Sequence, residues 1–436
     1  MTSDTTAVAA ATQRPTQDLL ARRHATLGSH SPLFYETPLE LVSGSGVWLT
    51  DAQGKTYLDG YNNVPHVGHA NPKVADAIDA QLRTLNLHTR YLNSRVVEYA
   101  EALLATFGDT LQRAFLTNSG SEANELALRV ARQHSGNTGV LVSDFSYHGN
   151  TTSLAELTTG LQVREPLGDH VRPVRIPDAL AAEAGEQLLE QALAEVDAAI
   201  ASLQEAGHGV SAFLFDPLFS TEGLVQPPAG YVEGVAARVR AAGGLVIADE
   251  VQSGFGRVGS SMWGHQMFGI EPDLVTLGKP MGNGYPMGGV VTTAGLLDEF
   301  GRHNMYFNTF AGTPVSSAAG LAVLQVMEEE GLMPQAASVG AYIAERLRPL
   351  AVRSSHVGTV RGHGLFFGLD IVEADGTPAP ALAKALIEDM KARGVLISRV
   401  GRHDNVLKMR PPMVFTREHA DLLLEQLGLA LEALEK

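Results

Sequence analysis

An α/β fold with a mostly parallel central sheet, plus a smaller α+β lobe, is what this sequence predicts, and three observations predict it. Short apolar segments alternate with amphipathic helical ones through the middle of the chain. Those short segments are apolar on both faces, as strands covered by helices on two sides must be. Beyond residue 331 the texture changes to helices interleaved with strands of mixed polarity.

The elements follow in order. The Ser/Thr/Ala-rich opening reads as a mobile lead-in up to Thr16, and residues 38–61 read as short strands around the turn Asp51-Ala52-Gln53-Gly54-Lys55. Asn71-Pro72 opens a helix with Val74, Ile78, Leu82 and Leu85 at helical spacing, and a second helix covers 96–107. Strand 113–118 (RAFLTN) gives way to helix 121–133, strand 139–144 (GVLVSD), helix 186–204 and strand 211–216 (SAFLFD). Helix 232–243, strand 244–250 (GLVIADE) and strands 274–278 and 288–293 complete the alternation. The later lobe carries helical sequence at 339–351 and 380–394, strands within 358–372, 395–400 and 405–410, and a last helix. The expected division is an N-terminal segment 1–66 joining the small domain, a large domain 67–330 and a C-terminal small domain 331–436.

Composition excludes several function classes. The net charge is −16, whereas broad binding to nucleic acid or anionic membranes needs basic surface. A local cationic pocket for an anionic substrate remains compatible with that balance. No cysteine is present, so disulfides, thiolate metal ligands and cysteine nucleophiles are out. The first 30 residues lack a signal-length apolar core, and no later apolar run reaches spanning length uninterrupted. A cytoplasmic, membrane-free location is the expectation.

In sheets of this kind ligands sit beyond the carboxyl ends of the strands. Asn118, Ser119, Gly120 and Ser121 stand at a strand-to-helix junction, where free N–H groups and hydroxyls suit a phosphate. Taken alone, an ordinary serine cap explains them better. Asp249 ends another strand and suits a cationic heterocycle, or a plain turn. Of seven lysines, Lys279 alone follows an apolar strand of the alternating region, and glycines surround it. Such a lysine is neutralised, paired (a salt bridge to Asp249 is the simple alternative) or used as an imine. The histidines of "HVGH", His66 and His69, lack a third ligand pattern, so a metal is not expected. Together the three pieces describe a site for pyridoxal 5′-phosphate: phosphate on 119–121, ring nitrogen on Asp249, aldehyde on Lys279.

The motifs TNSGSEANE, YHG, ADEVQSGFGRVG, LGKPMGNGYPMGG and NTFAGTP stand in one order along the chain. In them the sequence resembles the class III aminotransferases, a branch of the fold-type I pyridoxal-phosphate enzymes. The resemblance implies Gly120 and Ser121 in a phosphate cup, Tyr147 as ring-stacking aromatic with His148 beside it, and Asp249 at the ring nitrogen. It implies Val251 on the other ring face, Gln252 at the phenolic oxygen, and Lys279 as the Schiff-base lysine. Thr309 would reach the phosphate of the adjacent subunit, which implies a homodimer with active sites at the interface. One departure is the segment LFDPLFSTEGL, where family members carry a Glu-Pro strand and QGEGG; Asp216 and Glu222 stand near those carboxylate positions.

DGYNNVPHVGHANP, TRYLNSRVVEYAEAL and VLKMRPPMVFT resemble the branch that eliminates phosphate from phosphorylated amines, ethanolamine-phosphate phospho-lyases among them. Lys408 and Arg410 alternate with Leu407 and Met409, so on a strand both cations face one side. They suit a phosphate or a carboxylate; two solvated charges on an edge strand are the plain alternative. Asn62 and Asn63 are further substrate-side candidates. The expected reaction converts O-phosphoethanolamine and water to acetaldehyde, ammonia and phosphate. The alternatives are an omega-amine:pyruvate transaminase and an ammonia-lyase acting on an aminohydroxyethylphosphonate.

Overall fold

A computed structural model describes residues 16–181 and 187–435 of the chain. Most of the expected lead-in, residues 1–15, and Glu186, expected to open a helix, lie outside that range. Strands β1 (Leu41–Ser45), β2 (Trp48–Asp51) and β3 (Thr56–Asp59) form an antiparallel meander. The Asp51 carboxylate accepts the N–H groups of Gln53 and Lys55 and so closes the predicted turn.

The central sheet holds β4 (Arg113–Thr117), β5 (Val140–Ser143), β6 (Val171–Val174), β7 (Ala212–Phe215), β8 (Leu245–Asp249), β9 (Leu274–Leu277) and β10 (Gly288–Thr292). Their spatial order is β4-β10-β9-β8-β7-β5-β6. The run from β6 to β9 is parallel, and β10 is antiparallel to both its neighbours. This is the mostly parallel sheet the alternation implied. Its strands are apolar on both faces for the expected reason. Leu214 and Ile247 pack with Leu126 and Val130 of the helix Gly120–Ser135. Phe213, Phe215 and Val246 pack on the opposite face with Val196 and Val235 of the helices Leu188–Glu205 and Tyr231–Ala241.

Later strands are β11 (Val357–His363), β12 (Phe366–Ile371), β13 (Val395–Leu396), β14 (Ser398–Val400) and β15 (Val406–Met409). They form the sheet β11-β12-β15-β14, while β13 joins β1-β2-β3. The single strand expected over 395–400 is therefore two. Its apolar run is shared, Val395 pairing with Leu58 in one sheet and Arg399 with Leu407 in the other. Strand β6 was not foreseen because Pro173 interrupts its pattern; it sits at the sheet edge, where a missing N–H costs little. No helix among the described residues is long and apolar enough to cross a membrane.

Candidate active site

The carboxyl ends of the central strands converge on a cleft. Gly120, Ser121, Asn124, Tyr147, His148, Gly149, Asp216, Asp249, Val251, Gln252 and Lys279 line a cavity of about 120 Å³. Eight of these were expected there from sequence for the cofactor, and the fold brings them together from four separate segments. Ser119 is different. Its hydroxyl accepts the N–H of Glu122 at 3.2 Å, so it is the helix cap, and the helix start offers Gly120 and Ser121 to the cleft.

The glycines around Lys279 permit close packing. A Cβ at Gly278 would come within 3.1 Å of the Gly120 nitrogen, and one at Gly288 within 2.4 Å of the Ser119 carbonyl. They let the lysine strand lie directly against the start of the helix. A Cβ at Gly120 would meet Val251 at 2.8 Å, so this residue has to be glycine for the helix start to approach β8.

Asp249 is a tightly held carboxylate. Its Oδ2 accepts from Asn124 Nδ2 at 2.9 Å and His148 Nδ1 at 2.8 Å, and Oδ1 accepts the Val251 N–H at 3.1 Å. Its partners are therefore amide, imidazole and backbone, which sets aside a salt bridge to Lys279. The Lys279 side chain is reached through the open cleft, yet its amine lies in dense surroundings. Desolvation, and next the positive charge of Arg410, lower that amine to about 8.

Against Gln252, which lines the cleft, stand Lys408 and Arg410, both buried at 5 % exposure. Strand β15 lies between β12 and β14, so the edge-strand alternative is wrong: the two cations face inward from an interior strand and its exit. Lys408 Nζ donates to Gln252 Oε1 at 3.2 Å and the Ser220 carbonyl at 3.4 Å. Arg410 donates to the same Gln252 oxygen and, at 3.3 Å, to the Tyr61 carbonyl. Phe366 lies 5.2 Å from the lysine and 5.7 Å from the guanidinium, and the Tyr61 ring lies 4.9 Å from the latter. Burial, with Arg410 beside it, pushes the Lys408 amine well below its usual range. Glu222 does not neutralise them: desolvation and Asp216 raise its carboxyl to about 8, which keeps it protonated. Asp216 is raised for the first of those reasons.

The remaining candidates lie elsewhere. Asn62 spends its amide on both oxygens of Asp59 and holds a turn. Asn63 is fully buried, and both polar atoms of its side chain lack partners. Thr309 is exposed and outside the cleft of its own chain. The preceding Asn308 is tied to Asn118 and Glu122 at the helix start. His69 pairs with Asp59, and His66 contacts the Phe255 carbonyl and Arg257. Among the described residues no group of acids and histidines is arranged to hold a metal.

Sequence reading missed Asn124 and Thr276. Each is a polar residue on an otherwise apolar face: Asn124 beside Ala123, Leu126 and Ala127 of its helix, Thr276 inside Leu-Val-Thr-Leu. A polar intrusion at a buried position was the available signal.

Fold and cleft together define a class, and comparison settles it: the chain belongs to the class III aminotransferases, whose family pattern matches residues 34–431. Alanine–glyoxylate aminotransferase 2-like of Drosophila melanogaster is 40% identical over 417 residues, 92% of this chain and 84% of that protein. Ethanolamine-phosphate phospho-lyase homolog 1 of Caenorhabditis elegans is 37% identical over 446 residues, 96% and 94% respectively. A solved structure of a phospholyase from Arthrobacter in complex with phosphoethanolamine is 76% identical, with a TM-score of 0.94, over 95% of this chain and 100% of that one.

The cleft fits the family's cofactor, pyridoxal phosphate. A helix N-terminus with a glycine and a serine hydroxyl suits the phosphate, and a fixed carboxylate and a reachable amine line the same cleft. His148, which lines the same cleft, has its Nε2 buried and without a partner.

Proposed function

We propose that this protein is a pyridoxal-phosphate-dependent phospho-lyase that converts O-phosphoethanolamine and water to acetaldehyde, ammonia and phosphate. The observation that carries the reading is the pair Lys408 and Arg410, buried against Gln252 of the cleft wall with, among the described residues, no carboxylate in ion-pairing contact. Holding the Arg410 charge in a protein interior costs several kcal/mol, roughly, and the Lys408 amine, lowered by the same burial, takes up its proton only against a similar cost. A cation–aromatic contact returns about 0.5–2 kcal/mol, so Phe366 and Tyr61 offset only part of that cost. A dianionic phosphate offsets the remainder, and a plain amine substrate brings nothing to offset it. The likeness to the Arthrobacter phospholyase and the nematode phospho-lyase homolog supports the same substrate class.

Gly120, Ser121, Tyr147, His148, Asp249, Val251, Gln252 and Lys279 would hold the cofactor. When bound, it supplies an electron sink for a carbanion at the amine-bearing carbon. Lys279, with its amine lowered to about 8, gives up its proton near physiological pH far more readily than an ordinary lysine, and in that form it takes the proton from that carbon. Asp249, held by Asn124, His148 and the Val251 N–H, keeps its negative charge aimed at the ring nitrogen. Lys408 and Arg410 seat the phosphate and receive the charge that grows on it as the carbon–oxygen bond breaks. The two-carbon remainder takes up water and yields acetaldehyde and ammonia.

A second copy of the chain completes this reading. Arg90 lies 4.0 Å over the Phe307 ring, and Tyr91, Leu92, Met305 and Phe310 beside them are exposed. Contiguous apolar exposure of this kind marks an interface, and it includes Thr309. The homodimer and a cytoplasmic location are parts of the proposal, checked by light scattering and cell fractionation.

Holoenzyme incubated with O-phosphoethanolamine and no keto acid should release inorganic phosphate. Turnover confined to mixtures containing pyruvate, with no phosphate released, would replace this reading by an amine transaminase, as the name of the Drosophila relative suggests for that protein.

A further inference from the structure

Asp249 ends β8, and its register partner on β9 is Thr276, three residues before Lys279. Asn124 enters between them from the helix that begins at Gly120. Thr276 Oγ1 donates to Asn124 Oδ1 at 2.6 Å. Asn124 Nδ2 donates to Asp249 Oδ2 at 2.9 Å and to the His148 carbonyl at 2.7 Å. The orientation of the amide is fixed by chemistry: a carboxylate and a carbonyl only accept, so the NH₂ group must face them. The hydroxyl is then the one donor left for Oδ1. All three side chains are buried, Asn124 at 1 % exposure and Thr276 at 0 %.

One amide therefore ties together the helix that offers Gly120 and Ser121, the strand that carries Asp249 and the strand that leads to Lys279. We propose that Asn124, oriented by Thr276, is a positioning residue that fixes the Asp249 carboxylate for the ring nitrogen of pyridoxal phosphate; the inference rests on the cofactor reading above. Two donors, Asn124 Nδ2 and His148 Nδ1, converge on Oδ2 and hold the carboxylate plane. Removing the amide leaves the Thr276 hydroxyl and the His148 carbonyl without partners in a dry region, and it leaves the carboxylate held by His148 Nδ1 and the Val251 N–H alone. Hydrogen bonds to charged groups carry more weight than neutral ones, so the loss falls on Asp249 first.

The test compares wild type, Asn124→Leu and Thr276→Val for pyridoxal-phosphate dissociation constant, pH titration of the bound cofactor's absorption band, and melting temperature. Asn124→Leu is expected to weaken cofactor binding roughly ten- to hundredfold and to shift the titration. Thr276→Val should act in the same direction but less, and it should add nothing in an Asn124→Leu background. A fall in melting temperature with unchanged affinity and titration overturns the proposal and leaves the amide a packing element. Should Asn124→Leu not fold, Thr276→Val decides alone: a wild-type titration and affinity overturn the proposal. A wild-type chain that binds no pyridoxal phosphate overturns the cofactor reading and this inference with it. Normal wild-type binding beside unaffected variants overturns this inference only.

Discussion

Lys279 lines the cleft and Lys408 stands behind its wall against Gln252, and they differ in nearly everything except the direction of their titration. In both, burial is the first cause and Arg410 a second that lowers the amine. Lys279 follows the end of a strand, in a glycine-bordered loop, with its side chain reached through the cleft. Lys408 sits within β15 between two neighbouring strands, pinned by Gln252 and Ser220 and covered by Phe366. The contrast separates two uses of one side chain. An amine that reacts with a carbonyl or moves a proton needs access and a low pKa; an amine that holds an anion needs a fixed position and a dry setting.

The comparison breaks most visibly at Lys279. Lys279→Ala should cost about 10²–10⁴-fold or more in kcat, the range expected for loss of a proton-transferring side chain, whereas Lys408→Met should keep the bound cofactor's colour. Steady-state kinetics and an absorption spectrum of each variant check both halves. Next in size is Arg410→Met. Losing one partner of a desolvated charge interaction costs about 2–5 kcal/mol, so KM for O-phosphoethanolamine should rise by at least about tenfold, with far less change for an unphosphorylated amine. Equal losses for both substrates would contradict an anion site.

A pH experiment sharpens the same contrast. The Lys279 amine titrates at about 8, so the rate of pyridoxal-phosphate uptake by apoprotein should rise as pH passes through that value. Arg410 lowers this amine, and Arg410→Met should therefore move the midpoint upward. A midpoint near the ordinary lysine value of 10.5 in the wild type would deny the desolvated setting. The smallest expected effect is at Glu222. Its carboxyl is raised from 4.5 to about 8, so the folded state keeps a proton that the unfolded chain has released. Stability from this group is complete below 4.5 and falls as pH rises to about 8, then levels off. Glu222→Gln should flatten that fall, which melting temperatures across the window will show.

Much of this arrangement was legible beforehand, unevenly and for physical reasons. Strand periodicity placed Asp249 and Lys279 at the ends of β8 and β9 because two-sided burial leaves an unmistakable apolar run. Alternation put Lys408 and Arg410 on one side, but whether that side faced water depended on β14, whose pairing no local pattern specifies. Ser119 read more readily as a cap when taken alone and as a phosphate ligand beside Asp249 and Lys279, since both roles use the same hydroxyl at the same helix end. Asn62 and Asn63 looked alike in sequence; only the fold shows that Asp59 occupies the first and leaves the second unpartnered. Asn124 and Thr276 escaped notice because their pairing joins residues 152 positions apart.

The division of labour between the two lysines can be read from one experiment. Borohydride reduction of the holoenzyme, followed by peptide mass mapping, fixes the cofactor to whichever amine holds it. The account predicts the added pyridoxyl-phosphate mass on the peptide containing Lys279 and none on the peptide containing Lys408. A label on Lys408, or on neither, would contradict it.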